Sequence, residues 1–122
     1  MSRFKKYRGK DKYHIRFYRR NGNHPFIVVL VEEKQIDSNR FLLSGYMITH
    51  DIQKWFDYPN RYIRMHSNPN PKDQEPTFLC KIRLENISQR LFSKPYSNWH
   101  LSKEDEKIID ELENKKPSKR RH

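Results

Sequence analysis

Arg19-Arg20-Asn21-Gly22-Asn23-His24-Pro25-Phe26-Ile27-Val28-Val29-Leu30-Val31 is the stretch from which this chain is read. Gly and Asn tolerate positive φ, so residues 21–23 predict a turn. Pro25 cannot donate a ladder hydrogen bond and belongs at the start of a strand or on an edge. The six apolar residues 26–31 predict a short central strand. This run and the apolar residues up to Arg64 hold most of the chain's continuous apolar density, so the core is expected here. Arg40–His50 follows after a polar loop and reads as a second strand, with Phe41, Leu43, Met47 and Ile48 inward and Gly45 marking a bulge or bend.

Upstream, Tyr13-His14-Ile15-Arg16-Phe17-Tyr18 alternates and predicts a half-buried strand, with His14, Arg16 and Tyr18 on the face away from Tyr13, Ile15 and Phe17. Downstream, residues 51–58 suit a short helical turn carrying Trp55 and Phe56, and 60–66 another strand. Residues 67–76 hold three prolines and predict a long loop. Thr77–Ile82 and Leu84–Phe92 continue the strand pattern. Ser102-Lys103-Glu104-Asp105 resembles a capping box, and Leu101, Ile108, Ile109 and Leu112 share helical spacing, so a helix is expected over about 102–114. The sum is a mainly β fold, a small antiparallel barrel with a C-terminal α-helix.

The 122 residues suit one small domain, and no apolar run approaches the roughly 20 residues of a membrane span. The basic N-terminus is followed by no apolar segment of the secretory type. A single cysteine, Cys80, forms no internal disulfide and fits a reducing, cytoplasmic setting. The net charge of +11 sits at the ends. Residues 1–20 carry nine Lys/Arg and one acid, residues 115–122 carry five Lys/Arg and no acid, and the middle, 21–114, has 12 bases against 14 acids. Such ends suit a polyanion, with tyrosines and Phe17 interleaved to stack on unpaired bases; solubilising arms are the plainer reading. The expected organisation is a flexible basic arm over 1–12, a folded body over 13–114 and a basic tail over 115–122.

The order of these features resembles the PemK/MazF family of toxin ribonucleases. The residues that carry the resemblance are His24-Pro25-Phe26-Ile27-Val28-Val29, then Met47-Ile48-Thr49-His50, Tyr58-Pro59 with Tyr62-Ile63-Arg64-Met65, Thr77-Phe78-Leu79-Cys80 with Arg83, and the Leu101-Ser102 helix entry. The chain departs from the family pattern where His24 stands for the Arg before Pro and His50 for a second hydroxyl. Cys80 or Lys81 stands where several members have Asp, and the usual Gly-Asp/Glu opening is missing. The resemblance implies an SH3-like barrel, usually dimeric, that cleaves single-stranded RNA without metal or cofactor and is held inactive by a small antitoxin protein.

Metal-free cleavage needs a base, an acid and cations around the phosphorane. Histidine supplies either proton-transfer role. His24 and His50 are therefore the candidates for proton transfer, Thr49 for a phosphate hydrogen bond and Arg20 for charge stabilisation. Arg16, Arg19, Arg64, Arg83 and Tyr18 are the candidates for holding RNA. Plainer roles exist for each: a turn cap for His24, a strand-end surface residue for His50, a β-former for Thr49. The six histidines show no close pair with metal-ligand spacing, and no metal is expected. The alternative function is a non-catalytic nucleic-acid-binding or ribonucleoprotein-associated module on the same barrel.

Overall fold

A computed structural model describes residues 12–20, 22–33 and 41–115. The expected basic arm and tail lie outside these residues, apart from Lys12 and Lys115. The chain is mainly β. Six strands, β1 (His14–Tyr18), β2 (His24–Glu33), β3 (Phe41–Thr49), β4 (Tyr62–Arg64), β5 (Phe78–Cys80) and β6 (Leu84–Ser88), form one antiparallel sheet. The order is β1-β2-β3-β5-β4, with β6 also on β3. A short helix α1 (Ile52–Asp57) follows β3, and α2 (Lys103–Asn114) closes the body. None of the described helices is long and apolar enough to cross a membrane.

Both faces of β2 are buried over Phe26–Val28, while Leu30 further along the apolar run is exposed. Ile27 joins Ile15, Tyr46, Ile48, Met65 and Leu79 under α2, where Leu101 and Ile109 complete the cluster. Phe26 and Val28 point the other way, to Phe41, Leu43 and Phe92. In β1 the alternation predicts one wet face, but His14, Ile15 and Arg16 are all buried. Arg16 Nε donates to His14 Nε2 at 3.0 Å and its NH1 to the Ser93 carbonyl at 3.2 Å, so the polar face is satisfied internally. The ring proton of neutral His14 must then be on Nδ1.

β3 carries the sheet. Its first half pairs with β6 and its last residues pair with β5, while β2 lies along its other edge. The register with β2 slips between Val28 and Leu30, and that with β6 between Leu43 and Gly45. Each neighbour has one extra residue at the level of Gly45, so the bend expected at this glycine is a pair of facing bulges. Asn86 takes a positive φ of 59°, and its N–H donates to the buried Ser44 hydroxyl. A Cβ on Gly45 would lie 1.8 Å from the Ile27 carbonyl oxygen.

The bent sheet does not close into the expected barrel. After a 3-10 turn at Gln89–Leu91 the chain runs back along β1. It meets β1 through one bridge, Tyr18 with Phe92, and through Arg19 N to Leu91 O, Ser93 N to Phe17 O and Tyr96 N to Ile15 O, each 2.8 Å. The ladder is open at that seam.

α2 starts at Ser102, whose hydroxyl accepts from Asp105 N at 3.0 Å. Asp105 does not complete the box. Only 2% exposed, it accepts from His66 N and Ser67 N at 2.7 and 3.2 Å and so ties the start of the 66–77 loop to the helix. At the far end Arg83 grips Glu113 with two hydrogen bonds, of 2.9 and 3.1 Å, and Tyr46 donates to the same carboxylate. Trp99 packs edge-on against Phe17, 5.2 Å between centroids, as well as on the α2 cluster.

Two expected outcomes follow from these contacts. Gly45→Ala costs about 3 kcal/mol or more of stability, because backbone must move to admit the methyl; a urea midpoint equal to the native one would refute the contact. Burial, helped by the Arg16 charge, lowers the His14 pKa from 6.5 to about 4. The unfolded chain binds that proton and the folded one does not. Stability is therefore full above about pH 6.5 and falls toward pH 4, by about 3 kcal/mol. Urea melts between pH 7.5 and 4.5 should show this slope, and His14→Gln should flatten it.

Candidate functional site

The β2 start and the β3 end open together onto a cleft of about 720 Å³. The β2–β3 pairing ends at Phe26 with Met47, and beyond it His24, paired with Tyr18 of β1, and Thr49, paired with Phe78 of β5, both reach the cleft wall. Gly22 enters β2 at φ +105°, a conformation that suits glycine. The His24 imidazole lies over that turn, since a Cβ on Gly22 would meet its Nε2 at 3.6 Å.

Local hydrogen bonds set the other wall. Asp51 N donates to Thr49 Oγ1 at 3.1 Å, and Asp51 Oδ1 accepts from Gln53 N at 3.0 Å, capping α1. The backbone on both sides of the exposed His50 is thus fixed. Thr49 accepts from the chain and keeps its hydroxyl proton for a group in the cleft. His24, Thr49, His50, Arg20 and Tyr18 all line this space. On its other side the Thr49–His50 ridge borders a dimple of about 50 Å³ edged by Pro69 and Trp99.

Four cleft residues escape sequence reasoning: Asp51, Lys54, Tyr62 and Cys80. Lys54 stands three residues after Asp51, so one helical turn carries both to the same side, and that spacing was readable. Tyr62 and Cys80 meet because β4 and β5 pair in that register, which no local pattern encodes. Burial and the adjacent Cys80 push the Tyr62 phenol pKa up, so it enters the cleft as a neutral donor. Cys80, expected to act as a small hydrophobe in an apolar strand, is half-buried at the cleft wall. Among the described residues the cleft is lined by two permanent cations, Arg20 and Lys54, and one carboxylate, Asp51, which already accepts from Gln53.

The other expected RNA-binding residues lie elsewhere. Arg16 is 4% exposed and is spent on His14 and Ser93. Arg19 is exposed but turns its guanidinium to the Phe92 carbonyl at 3.2 Å. Arg83 is held between Glu113 and Glu85, its NH1 3.1 Å from the latter, and serves to fasten α2. Arg64 is exposed on β4, outside the lining of the cleft. Among the described residues no three His, Cys, Asp or Glu side chains gather as a metal site. No protein-family model, no curated protein and no solved structure matches the chain.

Arg83→Ala should lower stability by about 2 kcal/mol, because Glu113 loses a charged bidentate partner. Its effect should appear in thermal melts and not in ligand affinity at the cleft. A loss of affinity with unchanged melting would return Arg83 to the binding surface.

Proposed function

We propose that this chain is a metal-independent endoribonuclease that cleaves single-stranded RNA in the cleft between β2 and β3. The observation that carries the reading is the convergence of His24, Thr49, His50 and Arg20, from the ends of two strands, on one open cavity. The reaction needs no more than these groups. One histidine takes the proton of a 2′-hydroxyl, and the freed oxygen attacks the neighbouring phosphorus. The bond to the 5′-oxygen breaks, and the other histidine protonates that leaving oxygen. The products are a 2′,3′-cyclic phosphate and a 5′-hydroxyl. Arg20 and the Thr49 hydroxyl are aimed at the charge that grows on the phosphoryl oxygens, with Lys54 behind them.

On this reading the chain is the toxin of a toxin–antitoxin pair of PemK/MazF type, acting in the cytoplasm as a homodimer until a small antitoxin protein covers it. A cleft of about 720 Å³ leaves room for unpaired nucleotides, and Tyr18 and Tyr62 stand at its walls.

The test is incubation of the folded, partner-free protein with mixed-sequence RNA in EDTA. Cleavage to cyclic-phosphate ends is expected. His24→Ala and His50→Ala should each lower the rate about 100-fold or more. RNA left intact by micromolar protein would defeat the catalytic reading, and retained binding would then favour a non-catalytic RNA-binding module.

A further inference from the structure

α1 and the turn after it carry a second feature beside the cleft. Tyr58 N donates to the Lys54 carbonyl, Arg61 N donates to the Tyr58 carbonyl, and Lys81 N donates to the Arg61 carbonyl. Residues 58–61 are therefore held between two cleft residues, Lys54 and Tyr62. At about 100° per residue, Asp51, Lys54 and Tyr58 share one side of α1. Trp55 turns inward and stacks on Phe78 at 5.2 Å, which seats the helix on the sheet. Ile52 and Phe56 project from the opposite side.

The Arg61 guanidinium lies over the Tyr58 ring, 5.2 Å from its centroid, and half of Tyr58 (51%) stays exposed. The acids of α1 are engaged by their own helix: Asp51 accepts from Gln53 N and Asp57 from Gln53 Nε2. What this side offers outward is a cation, a tyrosine face and a second, planar cation. That alternation fits a chain of phosphates and unpaired bases, since the ring and guanidinium stack on a base while Lys54 and Arg61 neutralise phosphates.

We propose that the Tyr58–Arg61 turn is a stacking subsite that takes an unpaired nucleobase of a single strand leaving the cleft. The subsite rests on reading the cleft as a nucleic-acid site, but not on cleavage there. It places the flanking nucleotide next to α1 and explains why an aromatic-cation pair stands exposed between two cleft residues. Bases inside a duplex do not fit it, because both their faces are stacked and their edges are paired.

The experiment uses the full chain and a fluorescent 12-nucleotide 2′-O-methyl RNA, which cannot be cut through a 2′-hydroxyl, with anisotropy as readout. Tyr58→Ala is expected to weaken binding about tenfold, whereas Tyr58→Trp keeps it. Arg61→Gln should lower the slope of log affinity against log salt by about 0.7, one phosphate contact. Phe56→Ala, on the far side of α1, should bind as the native chain, and a 12-base-pair duplex should be indifferent to Tyr58→Ala. Matching thermal melts exclude unfolding as the cause. Native affinity in both Tyr58→Ala and Arg61→Gln would overturn the subsite, as would an equal loss in Phe56→Ala or no binding by the native chain. Binding that depends on Tyr58 in a protein that leaves ordinary RNA uncut would uphold the subsite and remove the catalytic reading.

Discussion

β3 must hydrogen-bond to β2 over Phe41–Met47 while sharing its opposite edge between β6 and β5, and it meets that demand by dividing at Gly45. The backbone of Gly45 touches the Ile27 carbonyl, closer than any side chain could allow. Extra residues on both neighbours, near Val29 and Asn86, force the sheet to bend at the same level. One half of β3 then builds the aromatic cluster of Phe26, Phe41 and Phe92, and the other carries Ile48 and Thr49 out toward β5 and the cleft. Without the bend, the end of β3 would not carry His50 and α1 round to the cleft wall.

The elements with a strong local signature were legible. The apolar run of 26–31, the Gly22 turn, the loop of three prolines and the Ser102 cap all form where residue chemistry puts them. The two histidines could be matched because antiparallel pairing of β2 and β3 follows from a strand, a loop and a strand in succession. What escaped was whatever depends on distant registry. Arg16 looks like a surface cation until residues 93–96 are seen to lie along β1, and Arg83 until Glu113 arrives from the last turn of α2. The Tyr62–Cys80 pairing belongs to the same class. Closure of a barrel does not follow from the sequence either, since short strands and tight turns are equally compatible with an open sheet whose seam is held by one bridge and three backbone hydrogen bonds.

Within the folded body, charge is used in two ways. Arg16, Arg83, Asp105 and Glu113 are shielded and satisfied, and their work is to position β1 and α2. Arg20, Lys54 and Arg61 stay at or beside the cleft, where Asp51 is occupied by the cap of α1 and Asp57 by the Gln53 side chain. The net excess of positive charge in the chain therefore understates how selectively it is placed. A body of nearly balanced charge, with 15 Lys/Arg against 14 Asp/Glu over residues 13–114, still presents a basic, aromatic-lined opening.

The Leu91–Tyr96 segment has a consequence for the behaviour of the protein at high concentration. An outer strand with unsatisfied N–H and C=O groups recruits strands from other molecules, and β1 would be such a strand at the end of the sheet order. Its groups at Ile15, Phe17 and Arg19 are instead consumed by the returning chain. At the other end of the order β4 spans three residues, too short to template a long ladder. β1 is thus a poor seed for intermolecular β-pairing although the sheet itself is open.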